Sequence, residues 1–129
     1  MDTARPNPAH ALGRWGEAKA ARFLERRGWR VLARNYRFGR REVDLVVRRE
    51  DVVAFVEVKT RAGRGFGFPQ EAITALKRRE IEAVATHYLA SRGLHGVSVR
   101  FDALAIEVDR ECQVARVEHV PDAWRPGWT

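Results

Sequence analysis

The sequence predicts an α/β domain, a mixed five-stranded sheet flanked by helices. Three observations carry this. Apolar, β-branched runs of strand length recur between turns. Two long stretches of helix-forming residues stand before the first run and between the third and fourth. The 129 residues, 45% hydrophobic and 32% charged, suit one compact core. The order helix, three strands, helix, two strands implies helices packed on a mixed sheet.

Ala9 to Arg27 form the first helix, which ends at Gly28. Gly13, Glu17, Ala20 and Leu24 recur along one stripe, which puts Glu17 at the margin of the buried face. Gly13 and Gly16 leave room for a close neighbour. "WRVLARNYR", Trp29 to Arg37, is the first strand, and "FGRR" makes a turn. Glu42 to Arg49 and Val52 to Thr60 are the second and third strands. Pro69 opens a second helix that Gln70 to Ser91 supply, with Gly93 and Gly96 beyond its end. "VSVRFDALAIEV" is a fourth strand and "QVARVEHV" a fifth. Residues 1–9 read as a flexible lead, 10–120 as a single domain, and 121–129 as a tail of loop or short turn. Its Trp124 and Trp128 are packing residues or the cover of a dimer surface.

Composition narrows the function. No apolar run approaches the ~20 residues a membrane helix needs. The N-terminus lacks the basic-then-apolar pattern of a secretory signal, and a lone Cys112 forms no internal disulfide. The expected compartment is the cytoplasm, with no membrane partner. A net charge of +7 and a pI near 10.7 favour a polyanionic partner, nucleic acid first. The only lysines are Lys19, Lys59 and Lys77, so arginine supplies most of that charge. An arginine-rich composition without any ligand accounts for the same numbers.

Charges sit where strands should be apolar. "RRED" is the only polar stretch between the second and third strands, so a tight hairpin is economical. With Glu50 and Asp51 as turn residues, Arg49 faces Val52 and Asp44 faces Glu57. Opposed residues share a face, ~4.5–5.5 Å apart at Cβ. Lys59 follows Glu57 by two and shares that face. Two carboxylates this close need a shared proton or a cation between them. Mg²⁺ takes one or two carboxylates with water and phosphate, and the Val58 carbonyl would add a ligand. Lys59 would position water and stabilise charge on a phosphate. A solvated salt-bridged trio is the plainer alternative. Glu17 would reach the patch from the first helix. Lys77 interrupts the stripe of Ile73, Ile81, Val84 and Tyr88. It either snorkels to the surface or meets phosphate or an active-site acid.

These segments carry a resemblance. "GRWGEAKAARFLERRGWRVLARNYR", "EVDLVV", "FVEVKTR", "GFPQEAITALKRREI" and "RFDALAIE" resemble the UPF0102 family of predicted endonucleases, within the PD-(D/E)XK restriction-endonuclease-like superfamily. More distantly they are similar to archaeal Holliday junction resolvases. The resemblance implies a restriction-endonuclease-like sheet and metal-dependent cleavage of DNA, at branched or otherwise structured sites. It implies Asp44 and Glu57 as ligands of Mg²⁺ or Mn²⁺, Lys59 as the catalytic lysine, and Glu17 as the added glutamate of the site. Lys77 matches a helix lysine of the family. Arg41 departs from the usual glycine and is a candidate phosphate contact. Resolvase-like members act as dimers, which implies a homodimer by analogy.

Other candidates are weaker. Arg61 and Arg64 in "KTRAGRGFGFP" are placed to bind phosphate, and Phe66 or Phe68 to stack on a base. A loop whose phenylalanines pack on the core is the alternative. The four histidines show no metal spacing. Asp102 reads as a structural partner to Arg100. Two rival functions stay open, a non-catalytic nucleic-acid-binding module and a protein-interaction adaptor.

Overall fold

The computed structural model describes residues 8–63 and 67–127, with side chains from residue 11 onward. Helix α1 spans Pro8–Glu25. Strands β1 (Arg30–Phe38), β2 (Arg41–Arg49) and β3 (Val52–Ala62) follow. A 3₁₀ turn at Pro69–Ala72 leads to helix α2 (Ala75–Ser91), then β4 (Ser98–Val108) and β5 (Val114–Val120). The sheet order is β1-β2-β3-β4-β5. β3 and β4 run parallel and the other neighbours antiparallel, so the sheet is mixed as expected. No described helix is long and apolar enough to cross a membrane.

Side-chain alternation along the strands builds a core on each face. On one face, Leu45, Val47, Ala54, Val56, Leu104 and Ile106 pack with Ala20, Ala21 and Leu24 of α1. On the other, Val46, Val53, Phe55, Phe101 and Ala103 pack with Ile81, Val84, Ala85 and Tyr88 of α2. The result is a three-layer arrangement with the sheet in the middle.

Local chemistry sets the boundaries. Gly28 takes φ +88°, and the Trp29 N–H returns to the Leu24 carbonyl, which closes α1. The second helix starts later than Gln70. Thr74 is its N-cap and accepts from the Lys77 N–H, while Ile73 just before it is extended and 3% exposed. Burying Ile73 and capping with Thr74 together separate the 3₁₀ turn from α2. The tail has no regular structure, but Trp124 is core. It stacks on Phe101 with ring centroids 5.3 Å apart, and its Nε1 donates to Glu82 Oε2 at 3.0 Å. Trp128 and Phe66 lie outside the described residues, while Phe68 is exposed.

Candidate metal and catalytic site

The hairpin between β2 and β3 has the expected register. Arg49 pairs with Val52, and the ladder continues to Leu45 opposite Val56. Glu50 adopts φ +56° in the two-residue turn. Beyond Leu45 the ladder stops. The Val58 N–H, next in turn to donate across to β2, goes to Asp44 Oδ2 at 2.7 Å.

The sheet is disturbed on the other side of Asp44 too. Arg34 pairs with Leu45 and Tyr36 with Val43, but Asn35, between them, takes φ +48°. Asparagine tolerates this left-handed conformation better than most residues. Val43 then packs with the α2-side core although Leu45 packs with the α1 side, so alternation breaks at Asp44. Asp44 therefore occupies a gap in the sheet, with β1 distorted on one side and β3 unladdered on the other.

Four elements bring charged groups to this gap. Asn35 Nδ2 donates to Glu17 Oε1 at 2.9 Å. Glu17 gets there because α1 lies against β3 at Gly16, where a Cβ would overlap Thr60 Oγ1. Gly13, by contrast, faces open space. Glu57 is 4% exposed. Its Oε2 lies 3.9 Å from Lys59 Nζ and 4.0 Å from Lys77 Nζ, and its Oε1 has no hydrogen-bond partner. Lys77 Nζ also donates to the Glu42 carbonyl at 3.2 Å. Lys77 thus points from α2 into the gap and does not snorkel away from it.

The carboxylates perturb one another. Burial, then the negative charge of Glu57, push Asp44 up from 3.8 to about 8, against the opposing Val58 N–H. Glu17 is also raised, mainly by burial and partly by Asp44, while Asn35 opposes the shift. Asp44 is thus the middle of a row from Glu17 to Glu57. Among the described residues no three acids, histidines or cysteines gather around one ion position. Asn35 and the Val58 N–H draw Glu17 and Asp44 aside. Mg²⁺ needs only one or two carboxylates, however. The unpartnered Glu57 Oε1 and an Asp44 whose charge is opposed by a like charge are the donors a hard cation relieves, so the residues fit such an ion.

The outlying candidates separate. Arg41 is exposed at the start of β2, opposite Phe38. Arg61 is 8% exposed and donates to the Gly67 carbonyl at 3.0 Å, so it is turned inward and not displayed for phosphate. Arg64 lies outside the described residues. Asp102 has the structural role expected. It takes two bonds from Arg100 at 3.0 and 2.9 Å, one with His119 Nε2 at 2.8 Å, and the Asp122 N–H at 3.0 Å. Burial works to raise its pKa, but the His119 and Arg100 bonds prevail and hold it lowered. Sequence reasoning missed Asn35. Its one signal is an asparagine inside an otherwise strand-like run.

Fold and site together define a mixed α/β domain with a carboxylate and lysine cluster set in a gap of its central sheet. The chain belongs to the UPF0102 family. A sequence model of "Uncharacterised protein family UPF0102" matches residues 16–106. A UPF0102 protein of Syntrophotalea carbinolica is 46% identical over 119 residues, covering 92% of this chain and 95% of that one. One of Pelotomaculum thermopropionicum is 45% identical over 113 residues, covering 88% and 94%. Among solved structures, SfsA of Pyrococcus furiosus in complex with Ca²⁺ aligns with 88% of this chain at 16% identity and a TM-score of 0.29. This chain spans 62% of that one, and a likeness this distant carries no argument.

Proposed function

We propose that this protein is a metal-dependent endonuclease that hydrolyses DNA phosphodiester bonds, at branched or otherwise structured sites. The observation that carries the reading is the gap at Asp44. Two opposed carboxylates, one with an unpartnered oxygen, share it with two lysines on a single carboxylate oxygen. A buried carboxylate oxygen without a protein hydrogen-bond partner is open to a cation.

Asp44 and Glu57 would hold Mg²⁺ or Mn²⁺, and the Val58 carbonyl would add a ligand. Such an ion lowers the pKa of a coordinated water and neutralises phosphate charge. Lys59, whose side chain is 38% exposed beside the buried Glu57, would meet the scissile phosphate and orient the water. Glu17 acts through Asp44, its own position fixed by Asn35. The nucleic-acid backbone would lie on cationic surface, including Arg41. A groove of about 480 Å³ between α1 and β5, with Lys19, Arg22 and Arg26 and no acid in its lining, would offer a second cationic surface. Symmetric cuts at a junction would call for two copies, and the exposed, unpaired Cys112 fits the cytoplasm.

The test is cleavage of labelled junction, duplex and single-stranded DNA with Mg²⁺ or Mn²⁺. We expect cutting of a branched form by the wild type, and a loss of at least 100-fold in Asp44→Ala, Glu57→Ala and Lys59→Ala. Tight binding without cutting, unchanged in Asp44→Ala, would instead identify a nucleic-acid-binding module.

A further inference from the structure

We propose that Lys77 is a resident cation of the site, one that competes with the divalent ion for Glu57 and so sets the ion affinity of the free protein. This rests on the metal reading above. Its basis is the arrangement around one carboxylate. Both lysines lie on Glu57 Oε2, at 3.9 and 4.0 Å, while Oε1 is buried without a partner. The two lysines differ in what else they touch. The Lys59 side chain is 38% exposed and that of Lys77 31%. Lys77 is tied a second time, to the Glu42 carbonyl at 3.2 Å, and its own backbone N–H is fixed by the Thr74 cap. It comes from a different layer of the fold than Asp44 and Glu57.

Charge makes the consequence specific. One buried carboxylate is faced by two ammonium groups. A divalent cation entering the gap of the free protein meets two like charges within a few ångströms of its best ligand. Like charges at such separations repel strongly where water is partly excluded. Lys77 therefore weakens the ion's hold until another anion, the phosphate of the substrate, takes up the lysine. Its role is positional and electrostatic, acting on the ligand Glu57.

Two variants separate the charge of Lys77 from its hydrogen bond. Lys77→Gln retains a donor for the Glu42 carbonyl but removes the charge, and Lys77→Met removes both. Mn²⁺ binding to the free protein, with no nucleic acid present, is read by electron paramagnetic resonance of the unbound ion. Folding is checked by circular dichroism. We expect both variants to bind Mn²⁺ at least fivefold more tightly than the wild type, with Lys77→Arg close to the wild type. Unchanged affinity in Lys77→Gln overturns the proposal and leaves the lysine a hydrogen-bond brace, while the metal reading stands. Absence of saturable Mn²⁺ binding in wild type and variants alike overturns both.

Discussion

Replacing Asp44 with asparagine is expected to stabilise the metal-free protein at alkaline pH. The variant retains an oxygen for the Val58 N–H, which now donates to Asp44 at 2.7 Å, but carries no charge. In the wild type, burial first and Glu57 second raise the Asp44 pKa from 3.8 to about 8. The folded state then binds this proton more tightly than the unfolded chain does. The stability it confers is fully present below pH 3.8 and is lost as pH rises through about 8. That interval corresponds to a loss of at most about 6 kcal/mol. Asp44→Asn escapes the loss. Relative to the wild type at pH 5, it should gain on the order of 1 to 3 kcal/mol by pH 8, allowing for relaxation around the buried charge. Urea unfolding in a chelator at pH 5, 6, 7, 8 and 9 measures this directly. Adding Mn²⁺ at pH 8 should raise the wild-type midpoint and leave that of the variant nearly still. A difference between the two proteins that stays constant with pH would refute the reasoning, as would an Asp44→Asn variant that is least stable at pH 8.

The remaining expectations concern what holds the site and its surroundings in place. Gly16→Ala should cost about 1 to 3 kcal/mol in urea unfolding, because its Cβ meets Thr60, and Thr60→Ala should recover part of that loss. Asp102→Ala should cost about 3 to 5 kcal/mol at pH 7, since it strands Arg100 in a half-buried position. The lowered pKa of Asp102 gives stability that is present above 3.8 and lost as pH falls, so unfolding at pH 3 should show a smaller difference. Reversing Lys19, Arg22 and Arg26 to glutamate should weaken duplex binding at least tenfold and reduce the salt slope by about 3, read by fluorescence anisotropy.

The sequence made some of this legible and hid the rest for physical reasons. The hairpin register was readable because a two-residue turn and a β-branched run leave little freedom. Glu57 and Lys59 on one face followed from strand alternation, which depends only on local geometry. The gap was not readable. It arises where Asn35 turns to positive φ and Asp44 captures a backbone N–H from a neighbouring strand, and residues far apart decide both. Lys77 left two readings open, since a lysine in an apolar stripe snorkels or finds an acid, and only the packing of α2 on the sheet chooses between them. Arg61 misled because arginine in a glycine-rich loop suggests phosphate, while the fold turns it inward to Gly67. Trp124 lies in a tail without regular structure, and its place in the core depends on Phe101 and Glu82.

The central claim is that the gap at Asp44 is an ion site. A crystal soaked in Mn²⁺ and measured by anomalous scattering tests it most directly. A single strong peak touching Asp44 and Glu57 Oε1 is expected, absent from a Glu57→Gln crystal treated the same way. A wild-type crystal with no peak in the gap, or one whose peak persists in Glu57→Gln, would contradict it.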